Sequence, residues 1–209
     1  MRVFLFDLDG TLIDHFGAIH RTYAHTLGQM GLPPPTLAQV RSAVGGGIQH
    51  SLAKFLPPER LAEGLAIYRE FWDRTMLQGV ELMPGARELL EQLSARGAVL
   101  AVITNKLGSS SRLICDHLGI SPLLSAVVGA QDTAWLKPAP EFTRHVLDLL
   151  GARADESLLI GDSPFDIAAA HAGGMPAWCV TTGTHSRAEL EAAGADRIFD
   201  HFSEMSRVI

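Results

Sequence analysis

Short β-prone apolar runs recur along the chain at Val3 to Phe6, Ala98 to Ile103, Ala126 to Val128, Leu158 to Ile160 and Ala177 to Val180. Each reads as a buried parallel strand. Between them Gly85 to Ala95, Ser109 to Leu118, Ala139 to Leu150 and Pro164 to His171 read as helices, which supply the crossovers that parallel strands require. The alternation predicts an α/β fold built on a doubly wound parallel sheet.

One segment breaks the alternation. Phe16 to Gln78 holds no convincing strand and reads as successive helices, punctuated by Gly31 to Pro35, by the Gly45-Gly46-Gly47 run and by Pro57-Pro58, each able to end one helix and begin another. It is expected to form a helical lobe of residues 15–79 inserted into a core of residues 1–14 and 80–209. The two joins, near Leu12 to Asp14 and Gly79 to Pro84, are placed to act as hinges.

Composition narrows the function classes. In 209 residues, 47% hydrophobic and 19% charged, there is enough apolar material for a packed core and little room for long disorder. The net charge of −6 argues against broad attachment to nucleic acid or to an anionic membrane. Cys115 and Cys179, the two cysteines, have no zinc-site or disulfide-framework spacing and are expected as buried free thiols. The opening MRVFLFDLDG has its apolar run interrupted by Asp7, so it is neither a secretory segment nor a membrane span. The expected setting is cytoplasmic.

Four groups of residues carry candidate chemistry. Asp7-Leu8-Asp9-Gly10-Thr11 ends the first strand, at the sheet edge where ligands bind in open α/β folds. A turn containing Gly10 can bring both acids toward one ligand. Gly161-Asp162-Ser163-Pro164-Phe165-Asp166 follows another strand. There Ser163, Pro164 and Asp166 suit a helix start, while Asp162 is left free to offer an oxygen to Mg²⁺. Thr104-Asn105 follows a third strand and offers a hydroxyl and an amide for phosphate oxygens. By itself, such a pair is ordinary turn chemistry. Lys137 stands among Trp135, Leu136, Pro138, Ala139 and Pro140; taken alone, it reads as a solvated surface lysine.

Each of the four lies on or close behind a different strand. In that order they resemble the haloacid dehalogenase superfamily, in its phosphatase branch with a helical cap after the first motif, and within that branch the phosphoglycolate phosphatase group. The resemblance implies a Rossmann-like core, with Asp7 as nucleophile and Asp9 as general acid and base. It implies that Thr104 and Lys137 hold the phosphoryl group with Asn105 in support. It further implies Mg²⁺ bound by Asp7, Asp162 and the backbone carbonyl of Asp9, with Asp166 acting through water or orienting the other groups. The expected substrate is a small phosphorylated metabolite, phosphoglycolate being the leading candidate, and the expected state is a monomer or homodimer.

Other members of the superfamily are alternatives. A carbon-attacking dehalogenase needs no acid at position 9, and a phosphonate-cleaving enzyme uses a cap lysine in place of that acid. A sugar-phosphate mutase shares both first-motif acids and Mg²⁺ and stays open, as does a catalytically silent binding protein that retains the fold. Within the cap, Val44 to Lys54 is the expected substrate-facing segment, with Gly46, Gly47 and Lys54 as contacts, since glycines permit close backbone approach. His15, His20 and His25 recur every five residues, do not share a helix face, and are expected as surface or cap residues. Trp72, Trp135 and Trp178 are expected in packing roles, and the Arg69 to Arg74 charges on a solvated helix face.

Overall fold

The computed structural model describes residues 2–209. The strands are β1 (Val3–Phe6), β2 (Ile13–Asp14), β3 (Glu81–Leu82), β4 (Val99–Leu107), β5 (Ala126–Ala130), β6 (Ser157–Gly161), β7 (Ala177–Val180) and β8 (Arg197–Phe199). The α-helices are α1 (Phe16–Gln29), α2 (Leu37–Ala43), α3 (Ile48–Leu52), α4 (Leu61–Thr75), α5 (Ala86–Ala95), α6 (Gly108–His117), α7 (Pro140–Leu150), α8 (Pro164–Ala172), α9 (Arg187–Ala192) and α10 (Phe202–Met205).

Six strands form one sheet in the order β5-β4-β1-β6-β7-β8, every pair parallel. Alternate side chains separate to its two faces. Phe4 and Phe6 of β1, Leu100 and Val102 of β4, and Leu158 and Ile160 of β6 enter one apolar cluster with Leu89, Leu90 and Leu93 of α5 and Phe202 of α10. Val3, Leu5, Ala101, Ile103 and Leu159 enter the other, with Phe142 and Val146 of α7 and Ile167 of α8. This two-sided burial is why the strands are apolar without interruption. β1 lies between β4 and β6, so three adjacent strands, about 4.8 Å apart, carry the Asp7, Thr104 and Asp162 groups toward one edge of the sheet.

The helical insertion leaves and returns through β2 and β3, a two-stranded antiparallel ribbon pairing Ile13 with Leu82 and Asp14 with Glu81. Helices α1 to α4 lie between these strands. In α1, Phe16, Ile19, Tyr23 and Leu27 are buried at the spacing of one helical face. Tyr23 meets Tyr68 of α4 edge-on at 5.3 Å between ring centroids. The apolar cluster on the Phe4 side runs unbroken into these helices through Leu8, Leu12 and Ile13. The expected breaks at Gly31, the triple glycine and Pro58 all separate helices.

Three differences from the expected pattern are local. Strand β4, expected to end at Ile103, continues to Leu107, with an irregularity in its pairing between Ile103 and Leu107, so Thr104 and Asn105 lie at a distortion inside the strand rather than in a turn after it. The ribbon strands, at two residues each, and the three-residue edge strand β8 are too short to show an apolar period. Among the described residues no helix is long and apolar enough to cross a membrane, and both cysteines are buried and free.

Leu5 is fully buried in the central strand. Leu5→Ala is expected to cost about 2–5 kcal/mol of unfolding free energy, read by urea denaturation. A loss under about 0.5 kcal/mol would contradict the packing described.

Candidate active site

The Asp7 backbone N–H still donates to Ile160 O at 2.9 Å, continuing the β1–β6 pairing and holding the start of the first motif against β6. Beyond it the chain turns sharply. Gly10 has φ +85°, and a Cβ there would lie 2.8 Å from Asp162 Oδ2 and 2.9 Å from the Gly183 Cα. Only glycine permits both the conformation and the approach. The turn brings the Thr11 hydroxyl to Asp162 Oδ1, to which it donates at 3.2 Å.

Asp162 and Asp166 leave β6 on opposite errands. Asp166 Oδ2 accepts from the Ser163 N–H at 3.0 Å, the Ser163 hydroxyl at 2.6 Å and the Asp162 N–H at 3.2 Å, forming the expected capping box with Pro164 in the first turn of α8. Its Oδ1 accepts from Lys137 Nζ at 2.6 Å. Asp162 Oδ2 accepts from the Thr184 N–H at 2.9 Å and from its hydroxyl at 3.2 Å. Nothing in the sequence had singled out the Gly183-Thr184 loop.

Lys137 is buried rather than solvated, at 4% exposure, and its ammonium also pairs with Asp7 Oδ1 at 2.7 Å. That pair lacks hydrogen-bond alignment, so Asp7 Oδ1 has no hydrogen-bond partner among the described residues. Asn105 sets the lysine in place: its Oδ1 accepts from the Lys137 N–H at 2.8 Å and its Nδ2 donates to Lys137 O at 3.0 Å. The same Nδ2 donates to Gly45 O of the insertion at 2.8 Å. The Asn105 side chain is thereby committed to protein partners, whereas a phosphate contact was expected. Thr104 is buried, and among the described residues its hydroxyl oxygen accepts from the Lys106 N–H at 3.2 Å.

Asp7, Asp162 and Asp166 can each present a carboxylate oxygen within 4.8 Å of the others. The set fits a divalent metal ion, since the donors are hard oxygens and Lys137 is the one ammonium paired with them among the described residues. Burial pushes the Asp7 carboxyl up to about 6, with repulsion from Asp166 outweighed by the pull of Lys137 in the other direction. Burial, then repulsion from Asp166 and Asp7, pushes Asp162 up to about 8. Burial would lower the Lys137 ammonium, but the Asp166 and Asp7 carboxylates hold it above its ordinary value. These shifts are the signature of negative charge in excess of its compensation.

Asp9 points elsewhere. Its two oxygens accept from Lys106 Nζ at 2.8 and 3.1 Å, and His15 Nδ1 lies 3.5 Å from Oδ1. Burial alone would raise the Asp9 carboxyl, but the Lys106 ammonium, with His15 beside it, holds it well below the usual carboxylate range. His15, at the first position of the insertion, is buried against this acid, with Nε2 2.6 Å from Met76 O. Burial and the nearby Lys106 depress its basicity.

A cavity of about 220 Å³ opens between these groups and the helical insertion, lined by Asp7, Asp9, Thr104, Lys106 and Asp162 and, across from them, by Val44, Gly45, Gly47, Ile48, Tyr68 and Trp72. Of the three cap residues expected to contact substrate, Gly47 lines this cavity. Gly46 and Lys54 are not among the lining residues: a Cβ on Gly46 would meet the His50 ring, and Lys54 Nζ donates to Ser42 O at 3.0 Å and Ala43 O at 3.4 Å. Lys54 thus satisfies carbonyls at the end of α2. Arg69 and Asp73 line the cavity, so the Arg69 to Arg74 face is not wholly solvated. Trp72 lines the cavity as well as packing, and Trp135 is 41% exposed.

A family model described as Haloacid dehalogenase-like hydrolase matches residues 4–180. The chain belongs to this family. The hydrolase is 34% identical to a phosphoglycolate phosphatase of Rhodospirillum rubrum, over 96% of this chain and 88% of that protein. It is 33% identical to one of Aquifex aeolicus, over 83% of this chain and 82% of that protein. A solved structure, a predicted phosphoglycolate phosphatase of Haemophilus somnus, matches with a TM-score of 0.92 at 26% identity, covering 100% of this chain and 97% of that one. This hydrolase is thus an enzyme homologous to phosphatases, and its buried triad fits a metal site.

The raised carboxyls set a pH dependence. Between the ordinary carboxyl value and the folded values of about 6 for Asp7 and about 8 for Asp162, the metal-free native state holds protons that the unfolded chain has released. Its stability therefore falls as pH rises through that window. A cation displaces the same protons, so its stabilising effect should grow from pH 5 to pH 8, reaching about 2.7 kcal/mol at a hundredfold excess over Kd. Thermal denaturation with EDTA and with Mg²⁺ across this range checks it; a metal effect independent of pH would contradict the assignment.

Proposed function

We propose that this hydrolase is a Mg²⁺-dependent phosphatase acting on a small phosphomonoester, with phosphoglycolate as its substrate, through a phosphoaspartate on Asp7. The observation that carries this reading is the convergence at one sheet edge of Asp7, a buried ammonium 2.7 Å from it, and a carboxylate triad, beside a cavity of about 220 Å³. Homology to phosphoglycolate phosphatases over nearly the whole chain supports the substrate. Residues 1–14 and 80–209 act as the catalytic core in this reading, and residues 15–79 as its cap.

Asp7 attacks phosphorus with a carboxylate oxygen as the bond to the leaving oxygen breaks, and Asp9 gives that oxygen a proton. Water then attacks the phosphoaspartate. Asp9 takes the water proton, the bond between phosphorus and Asp7 breaks, and inorganic phosphate leaves. Lys137 and the Thr104 hydroxyl face charge that spreads over the equatorial oxygens. Mg²⁺ held by Asp7, Asp162 and the Asp9 backbone carbonyl would add positive charge beside those oxygens. Asn105 positions Lys137, and Asp166 orients both Lys137 and the start of α8. The cap, closed over the site, excludes bulk water and leaves space for a small alcohol.

Asp7→Asn preserves shape and removes the attacking group, so turnover should fall at least about a thousandfold with an unchanged circular dichroism spectrum. Phosphate release from phosphoglycolate, sugar phosphates, nucleotides and a phosphopeptide, with EDTA and with Mg²⁺, checks substrate and metal together. Full activity in the variant would remove the covalent mechanism, and a preference for the phosphopeptide would remove the small-ester reading. Rearranged ester in place of released phosphate would identify a mutase.

A further inference from the structure

Lys106 was absent from the sequence-based site, yet its ammonium sits deep in the cavity. The side chain is 9% exposed and Asp9 12%. Its ammonium donates to both Asp9 oxygens and lies 4.4 Å from the centroid of the Trp72 ring. An ammonium carries three N–H donors, and its hydrogen bonds to described residues are the two to Asp9. Trp72 is fixed in turn, donating from Nε1 to Ser110 Oγ at 3.2 Å. Ile19, Tyr23 and Tyr68 add apolar wall to the same cavity.

This arrangement poses a geometric conflict for the reaction. Asp9 must face the leaving oxygen to exchange a proton with it, but both of its oxygens are turned onto Lys106. An arriving ligand has to draw that ammonium away. Beside the apolar wall of Trp72, Tyr68 and Ile19 an anion does this far better than a neutral group, because attraction to the partly buried ammonium is less screened there than in water and charge-assisted hydrogen bonds are the strong ones. Of the other cationic groups nearby, Lys137 does not line the cavity and is held by Asp7 and Asp166, whereas Arg69 of α4 lines its wall.

We propose that Lys106 is the specificity-determining residue of this enzyme: it receives a carboxylate carried on the leaving alcohol, and its shift from Asp9 to that carboxylate turns Asp9 toward the leaving oxygen. The proposal rests on the phosphatase reading above and deepens it. The preferred substrates are phosphomonoesters whose alcohol bears a carboxylate close to the ester oxygen. The neutral wall of Trp72, Tyr68 and Ile19 limits the rest of the leaving group to little beyond that carboxylate. Selectivity arises in kcat as well as KM, since a neutral leaving group leaves Asp9 engaged with Lys106.

The test compares kcat/KM of the Mg²⁺-loaded full chain on phosphoglycolate, phospholactate and 3-phosphoglycerate with kcat/KM on their neutral amide counterparts. Wild type should prefer at least one carboxylate over its amide by more than about tenfold. Lys106→Met should erase most of that preference and Lys106→Arg should keep most of it, with thermal denaturation confirming that both variants fold. Because the ratio is read within one protein, a general loss of activity does not imitate the result. An equal rate on acid and amide in wild type, an unchanged ratio in Lys106→Met, or loss of the preference in Arg69→Met instead would each overturn the proposal. Preference for another carboxylate over phosphoglycolate would sustain it while overturning the phosphoglycolate reading; phosphoglycolate turnover with no charge preference would do the reverse.

Discussion

Three carboxylates crowded at the end of β1 and β6, each able to place an oxygen within 4.8 Å of the others, create the electrostatic constraint around which the rest of the site is arranged. Such a cluster cannot stay ionised in a buried site without compensation. The protein answers it in three ways. Lys137 is drawn out of solvent to bridge Asp7 and Asp166, Asp162 is given the Thr11 hydroxyl and the Thr184 N–H, and Asp166 is absorbed into the first turn of α8. What remains uncompensated suits a divalent cation.

The second acid of the first motif is kept out of this crowd. Asp9 is two residues from Asp7, yet Lys106, His15 and Trp72 form its surroundings. Two neighbouring carboxylates thereby acquire opposite behaviour, one raised by burial and the other held low by an ammonium. Environments that push paired acids apart are how one site assigns different tasks to identical side chains.

The helical insertion is tied to this chemistry at several points. Asn105 reaches from β4 to Gly45 while holding Lys137, Arg41 of α2 donates to Gly183 O at 3.2 Å, and Trp72 of α4 bonds Ser110 of α6. Since Gly183 adjoins the Thr184 that binds Asp162, the helical insertion and the acidic cluster are linked through one loop. The narrow β2–β3 ribbon concentrates any motion of the insertion into two short joins.

The sheet was legible because its strands are apolar on both faces and its helices carry their own start signals. Val3 to Phe6 and Ala177 to Val180 became strands over those residues, and the Ser163, Pro164 and Asp166 helix start reads directly from local chemistry. Asp7 and Asp162 also stood out, because ends of parallel strands converge whatever their separation along the chain; Lys137 gained weight only from the family resemblance. Spacing carried no information about pairings that cross the fold: Lys106 with Asp9, His15 with Met76, Thr184 with Asp162 and Lys54 with the end of α2 join residues 97, 61, 22 and 12 positions apart. A lysine, a histidine and a glycine run have many unremarkable uses. The sequence by itself determined the doubly wound core, the helical insertion and the acids at the strand ends, since these follow from periodicity and local turn chemistry. Only the tertiary structure decided that the Asn105 amide is taken up by Lys137 and Gly45, that Lys54 and Gly46 fall outside the cavity, and that Lys106 engages Asp9, because each depends on which residues, distant along the chain, the fold lays together.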